Sequence, residues 1–324
     1  MKKTDELLRN IEHDLGLNEP TYKGRNLPVR NCWHFYTNGN NIDHMFCDEQ
    51  DFKDGMNRIF VTINKFKAII LAFTLMDTHI HFILYGQFDE CNRFIHHFIN
   101  ITSRALSERF NESHKLANVQ ISHQMIHNEQ YLKTAICYVL RNAPVGGIPY
   151  NALDYPWSSA PLYFKGSTKC NWTSPLWQVP SYFTELQHLT FTQKRKFLKT
   201  RTPETLQNAK ICHDIVFPGE YVAYEVVEKI FKTHKSFNYF LNTCKESYIE
   251  SRQSNISNLS IPMQELRMLR NAACKELLGE EFSRNLSTHQ RLKLARTLKR
   301  KYLCSTKQIA RICGLLYDEA KHLL

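Results

Sequence analysis

The sequence predicts an α+β protein: an N-terminal domain with an antiparallel sheet and helices on one face, followed by an all-α region ending in a helix-turn-helix-like segment. Three observations carry this expectation. Strand-length apolar runs and helix-length amphipathic runs alternate through residues 30–165 in the order β-α-β-β-α-β with one further helix. From Ser181 onward the apolar spacing is helical throughout. Between Arg284 and Arg311 there are nine Lys and Arg and no Asp or Glu.

Trp33 to Thr37 reads as the first strand and Glu49 to Phe66 as the first helix. Ala68 to Leu75 and His79 to Tyr85 read as a hairpin turning at Asp77-Thr78. Helical periodicity then runs from Cys91 to Phe110 through Phe94, Ile95, Phe98, Ile101 and Leu106, and Val119 to Ile126 reads as a strand. This order is that of a ferredoxin-like unit, in which the first and third strands pair at the centre and the helices cover one face. The strand carrying His81 is then central, and the uncovered face is where a site would lie.

The chain changes character after residue 165. Lys165-Gly166-Ser167-Thr168-Lys169 and the Trp- and Pro-containing stretch from Asn171 to Pro180 suggest a domain boundary between 165 and 180. The expected organisation is an N-terminal extension (1–29), a first domain (30–165), a helical domain (181–283) and a basic helical segment (284–324). Within the helical domain the clearest helices run over Tyr221–Thr233, Phe237–Arg252 and Ile261–Leu278, with a loop from Ser251 to Ser260.

Length and composition set bounds. The 324 residues with 43% hydrophobic content suffice for two or three packed units. A formal net charge of +11 favours polyanionic partners, nucleic acid before membrane. The opening MKKTDELLRNIEHDLGL has early acids and no long apolar run, unlike a signal peptide, and no stretch has the apolar length of a membrane helix. Ten scattered cysteines without a Cys-x-x-Cys pair read as reduced thiols of a cytosolic protein.

His79-Ile80-His81 is the most informative short pattern. Residues two apart on a strand project to one side about 7 Å apart, close enough for two imidazoles to share one metal ion. Two half-buried histidines bonded to neighbours would give the same pattern. Downstream, Tyr131 to Pro144 reads as an amphipathic helix with Leu132, Ala135, Ile136, Val139 and Leu140 on its apolar stripe. Tyr138 and Asn142, four apart, lie together at the edge of that stripe, where they can look into a cleft beside the sheet. A packing tyrosine and a helix-terminal asparagine before Pro144 are the plainer alternatives.

With Tyr155-Pro156-Trp157-Ser158-Ser159 following these two patterns, the first half of the chain resembles the REP-associated tyrosine transposases, a branch of the HUH single-strand DNA transposases. The resemblance covers about residues 30–165 and includes Phe35-Tyr36-Thr37 with the Asn/Gly-rich run Asn38-Gly39-Asn40-Asn41. It implies a ferredoxin-like HUH domain. It implies Tyr138 as the nucleophile that forms a 5′-phosphotyrosine on single-stranded DNA, and His79, His81 and Asn142 as ligands of Mg²⁺ or Mn²⁺. Two positions depart from the family pattern. Ala143 separates Asn142 from Pro144, where the family has Asn-Pro adjacent, and Met76-Asp77-Thr78 replaces Met-Pro-Asn, with Asp77 read as a turn residue.

Asn38, Asn40 and Asn41 are candidates for reading a DNA hairpin, although a turn alone explains them. In the basic C-terminal segment, Arg291 to Leu303 reads as one helix, Ser305 as an N-cap and Thr306 to Cys313 as a second helix. Gly314 reads as a turn and Leu316 to Leu324 as a last helix. Ile309, Ala310, Ile312, Leu315 and Ala320 suit its core, and Arg291, Lys299, Arg300, Lys307 and Arg311 are its candidate DNA contacts. Asp318 and Glu319 oppose a DNA-facing recognition helix, and a solvated basic face is the plainer alternative. The expected activity is a metal-dependent transposase or strand-transfer enzyme acting on single-stranded DNA in the cytoplasm at the nucleoid, with a homodimer as one expected assembly. A replication initiator or relaxase is one alternative, disfavoured by the lack of a Walker-type loop. A domesticated, non-catalytic DNA-binding protein is the other.

Overall fold

The computed structural model describes residues 10–17, 28–37, 45–111, 116, 119–145, 152–164, 184–243, 263–279, 286–302, 306–316 and 320. The chain forms two compact units, residues 1–244 and 245–324.

The first unit is built on a four-stranded antiparallel sheet. Its elements are β1 (Pro28–Thr37), α1 (Glu49–Ile63), β2 (Ile69–Leu75), β3 (Ile80–Tyr85), α2 (Phe88–Phe110), β4 (Ile121–Asn128) and α3 (Glu129–Val145). The strand order is β2-β3-β1-β4, so β1 and β3 are the central pair, as the element order predicts. β2 and β3 are buried at every position, which explains their continuous apolar runs in place of alternation.

Each helix has a local reason for its position. The Asp48 side chain caps α1 by accepting from the Asp51 N–H at 3.0 Å. Asn128, the last residue of β4, accepts from the Tyr131 N–H at 2.8 Å, so the strand runs straight into a capped α3. The stripe Leu132, Ala135, Ile136, Val139 and Leu140 is fully buried. Pro144 lies in the last turn, where it has no N–H to give to the carbonyl four residues back.

The two faces of the sheet carry different cargo. Phe35 and Phe82, paired across β1 and β3, pack with Phe73, Phe94 and Phe98 in the main core. Burying each such ring is worth about 1.5–3 kcal/mol. The opposite face, carrying His34 and His81, is covered in part by α3.

The free edge of β2 is covered by later chain. The Leu75 N–H donates to Trp157 O at 2.8 Å and the Ser159 N–H to Phe73 O at 3.0 Å. The Tyr155 hydroxyl donates to Leu75 O at 2.8 Å and the Tyr163 hydroxyl to Leu71 O at 2.6 Å. At the other end of β2, the Ala223 N–H reaches Ile70 O at 2.9 Å. The Tyr-Pro-Trp-Ser-Ser segment thus closes a sheet edge that would otherwise present unpaired backbone groups.

Two expectations are corrected. The compact unit continues to residue 244 and does not end between 165 and 180, because Leu186, Leu198, Ile215, Val216, Tyr221 and Val222 join the same core as Phe35 and Phe73. Nor is this later stretch all α. It holds a small antiparallel sheet of β5 (Thr184–Glu185), β6 (Lys210–Cys212) and β7 (Ile215–Val216), beside α4 (Phe191–Leu198), α5 (Tyr224–Phe231) and α6 (His234–Thr243). Strands of two or three residues are too short to register as a periodic pattern.

The second unit holds α7 (Met263–Leu278), α8 (Thr288–Tyr302) and α9 (Thr306–Cys313), with Gly314 turning at φ +67°. Leu266, Cys274, Leu294, Leu298, Ile309 and Ile312 form its core. Most of the expected last helix, with its acids Asp318 and Glu319, lies outside the described residues; of it, Leu316 is exposed and Ala320 is buried. Among the described residues the cysteines form no disulfide, and no helix is long and apolar enough to cross a membrane.

Arg109 in α2 clasps the capping Asp48 and Asp51 of α1, and its hydrogen bond holds the Asp48 carboxyl down to about 2. A carboxyl lowered on folding stabilises fully above its ordinary value of 3.8 and loses that contribution as pH falls through about 2. Urea unfolding across this window should therefore show the wild type losing more stability than Arg109→Ala. Equal losses would show that the clasp contributes nothing.

Candidate active site

The pairing register assembles the site. Tyr36 of β1 lies opposite His81 of β3, and His34 lies opposite Ile83, so His34, Tyr36 and His81 share one face. On the other side of β3, Thr74 of β2 lies opposite His81. The Thr74 hydroxyl donates to Val139 O of α3 at 2.6 Å, tying the helix to the sheet one residue from Tyr138. The rings of His81 and Tyr138 lie 5.6 Å apart, and those of His34 and Tyr138 5.9 Å apart, both edge to face.

His79 precedes β3, at the end of the four-residue turn closed by the Met76 N–H to His79 O bond of 2.8 Å. Asp77 serves that turn: its Oδ1 accepts from the Thr78 N–H at 3.0 Å and its carbonyl from the Phe46 N–H at 3.0 Å. The His79 Nε2 lies 3.0 Å from Asn142 Oδ1, and its Nδ1 lies 3.0 Å from Thr78 Oγ1. Ala143 therefore leaves Asn142 facing the histidine. Its own side chain is fully buried in the core.

His79, His81, Tyr138 and Asn142, which the sequence singles out, come together on one face of the sheet. That face is closed more than the sequence suggests: His34 is 0%, His81 3% and Tyr138 8% exposed. Burial pushes the His34 imidazole down to about 3. Burial, then the neighbouring His34 and His79, hold His81 well below the usual histidine range. Both rings are neutral at physiological pH, and neutral imidazole is the form that binds metals.

No family model, curated protein or solved structure matches the chain.

His79 Nε2 and Asn142 Oδ1 are hydrogen-bonded in this structure, and both belong to donor types that a divalent cation accepts. Two ligand atoms at right angles on bonds of about 2.1 Å stand about 3.0 Å apart, the separation of His79 Nε2 and Asn142 Oδ1. The Nδ1 of His81 is engaged by His34 Nε2 at 3.1 Å, so of its two nitrogens Nε2 is the one left to face a ligand. Two imidazoles and an amide oxygen suit Mn²⁺ on ligand softness and leave positions for phosphate oxygens. Among the described residues no group of three or more His, Cys, Asp or Glu is placed to hold an ion.

The candidate DNA contacts stand differently. Asn38, Asn40 and Asn41 lie outside the described residues, as do the side chains of Arg300 and Lys307. Arg291 has structural work: its Nε–H donates to Leu286 O at 3.0 Å and its Nη1 to Gly314 O at 3.2 Å. The Lys299 Nζ donates to Thr306 Oγ1 at 3.0 Å, joining α8 to α9. Arg311 is exposed.

The sequence reading missed His34 and Thr74. Their signal is alternation: His34 and Tyr36 flank Phe35 and so share a face. Which strand lies opposite them is set by register, which no local pattern specifies. Replacing Thr74 by Val keeps its shape and removes the bond to α3. Unfolding by urea should show a loss of about 1–2 kcal/mol, the cost of a buried hydrogen bond, and an unchanged midpoint would show that the bond does not anchor the helix.

Proposed function

We propose that this chain is a metal-dependent enzyme that cleaves and rejoins single-stranded DNA through a 5′-phosphotyrosine, with transposition its preferred role. The observation that carries the proposal is the meeting of Tyr138 with His81, ring centroids 5.6 Å apart, beside the His79 to Asn142 contact of 3.0 Å. A phenol, two imidazoles and an amide from two separate segments form the set that a tyrosine nucleophile and its cation require.

In this mechanism the Tyr138 oxygen attacks phosphorus in line with the 3′ oxygen. The Tyr–O–P bond forms as the P–O3′ bond breaks, and the phenolic proton is balanced by the one gained by the 3′-hydroxyl. Attack of a 3′-hydroxyl on the phosphotyrosine reverses the step and joins strands without a nucleotide cofactor. Bound Mg²⁺ or Mn²⁺ would polarise and orient the phosphate, held by His79, His81 and Asn142. Thr74 fixes the height of α3 against the sheet, and so the position of the Tyr138 backbone. With Tyr138 8% exposed, the phenol reaches substrate by side-chain rotation or by displacement of a neighbouring segment. That burial is also the observation favouring the second reading, a DNA-binding protein without turnover.

Folded single strands such as hairpins are the proposed substrates, and chromosomal DNA at the nucleoid the proposed place of action. The basic second unit would add affinity through phosphate contacts. Labelled single strands from the regions flanking the gene, incubated with Mn²⁺, should give a denaturation-resistant adduct. Tyr138→Phe should abolish that adduct and leave binding intact, whereas an adduct that persists in this variant would contradict the proposal. Truncation after Cys244 should weaken binding and flatten its dependence on salt. Unchanged affinity would exclude the second unit from DNA contact.

A further inference from the structure

We infer that His34 is a positioning residue that accepts the Nδ1–H of His81 and so presents the His81 Nε2 lone pair to the bound cation. The inference rests on the proposed cation site and extends it by one residue.

His34 Nε2 and His81 Nδ1 lie 3.1 Å apart while the ring centroids stand 5.3 Å apart with 23° between planes, so the two nitrogens lie nearly on the line joining the rings and the contact is an edge-on N–H···N bond. Both rings are buried, and two ring nitrogens 3.1 Å apart hold a single proton between them. Two arrangements satisfy the bond. If His34 donates, His81 carries its own proton on Nε2 and has no lone pair for a cation. If His81 donates, its Nε2 is free to ligate and His34 carries its proton on Nδ1. Cation binding therefore requires the second arrangement.

The second arrangement has a cost that the structure displays. His34 Nδ1 is buried without a hydrogen-bond partner, and as an N–H it is a buried, unpaired donor. An apolar residue facing His81 would avoid that cost. It would also leave the His81 Nδ1–H with no acceptor, so the proton would move to Nε2 and block the ligand. His34 has the role that a carboxylate or carbonyl plays behind many metal-bound histidines, where loss of the partner costs about 10–100-fold in affinity. His79 is served differently: the Thr78 hydroxyl at its Nδ1 can donate or accept, and so tolerates either tautomer.

Two variants of the full chain and one spectrum test this. Mn²⁺ affinity is measured from the electron paramagnetic resonance signal of the free ion. His34→Phe should bind Mn²⁺ about 10–100-fold more weakly, and His34→Gln, whose amide oxygen can accept the same proton, should recover most of that loss. In the Zn²⁺-loaded wild type, ¹⁵N shifts of the histidine rings should show His81 protonated at Nδ1, a readout that does not depend on either variant folding. Affinity unchanged in His34→Phe, no recovery in His34→Gln, or a His81 proton at Nε2 in the loaded protein would each overturn the inference while leaving the cation site standing. A wild type that binds no Mn²⁺, or binds it equally well after His79→Ala, would overturn the site itself and this inference with it.

Discussion

The pairing of β1 with β3 is the constraint on which the site depends. Tyr36 opposite His81 and His34 opposite Ile83 set three polar aromatic rings on one face and Phe35 and Phe82 on the other. A slip of one residue would exchange the two faces, sending His34 into the aromatic core and Phe35 toward Tyr138. Such a slip would bury an imidazole among phenylalanines and expose a phenylalanine, so the apolar core enforces the register that the chemistry needs. Stability and function here are one requirement, because His34 and Phe35, neighbours on opposite faces of β1, are both fully buried.

The covering of β2 extends the same logic. Tyr155, Ser159 and Tyr163 bond to the outer backbone of β2, and Thr74 of that strand reaches across the sheet face to α3. The Tyr-Pro-Trp-Ser-Ser segment therefore acts on the site at one remove, by fixing the strand from which Thr74 holds the helix of Tyr138. Tyr155, Ser158 and Ser159 are spent on buried backbone partners, which accounts for their burial without a catalytic role.

Much of this arrangement is legible in the sequence. The strands and helices of the first domain follow from apolar runs and periodicity, and Tyr138 and Asn142 are placed by a four-residue helical spacing. What the sequence hides is non-local. β1 begins at Pro28, before the expected Trp33, because Arg30 and Asn31 show no alternation and Asn31, at φ +53°, sits in an irregular stretch of the strand. Residues 184–243 look like a separate domain because the stretch before them has a linker's composition, yet Leu186, Val216 and Val222 return to the first core. His34 is an ordinary alternating strand residue until the register sets it 3.1 Å from His81.

The most direct test of the account is to find where DNA becomes attached. After incubation with Mn²⁺ and single-stranded DNA, followed by nuclease and trypsin, Tyr138 lies in the peptide Thr134–Arg141, where it is the single tyrosine. The account predicts a nucleotide mass on that peptide, carried by Tyr138. The same mass on another tyrosine, or adducts spread over several peptides, would contradict it.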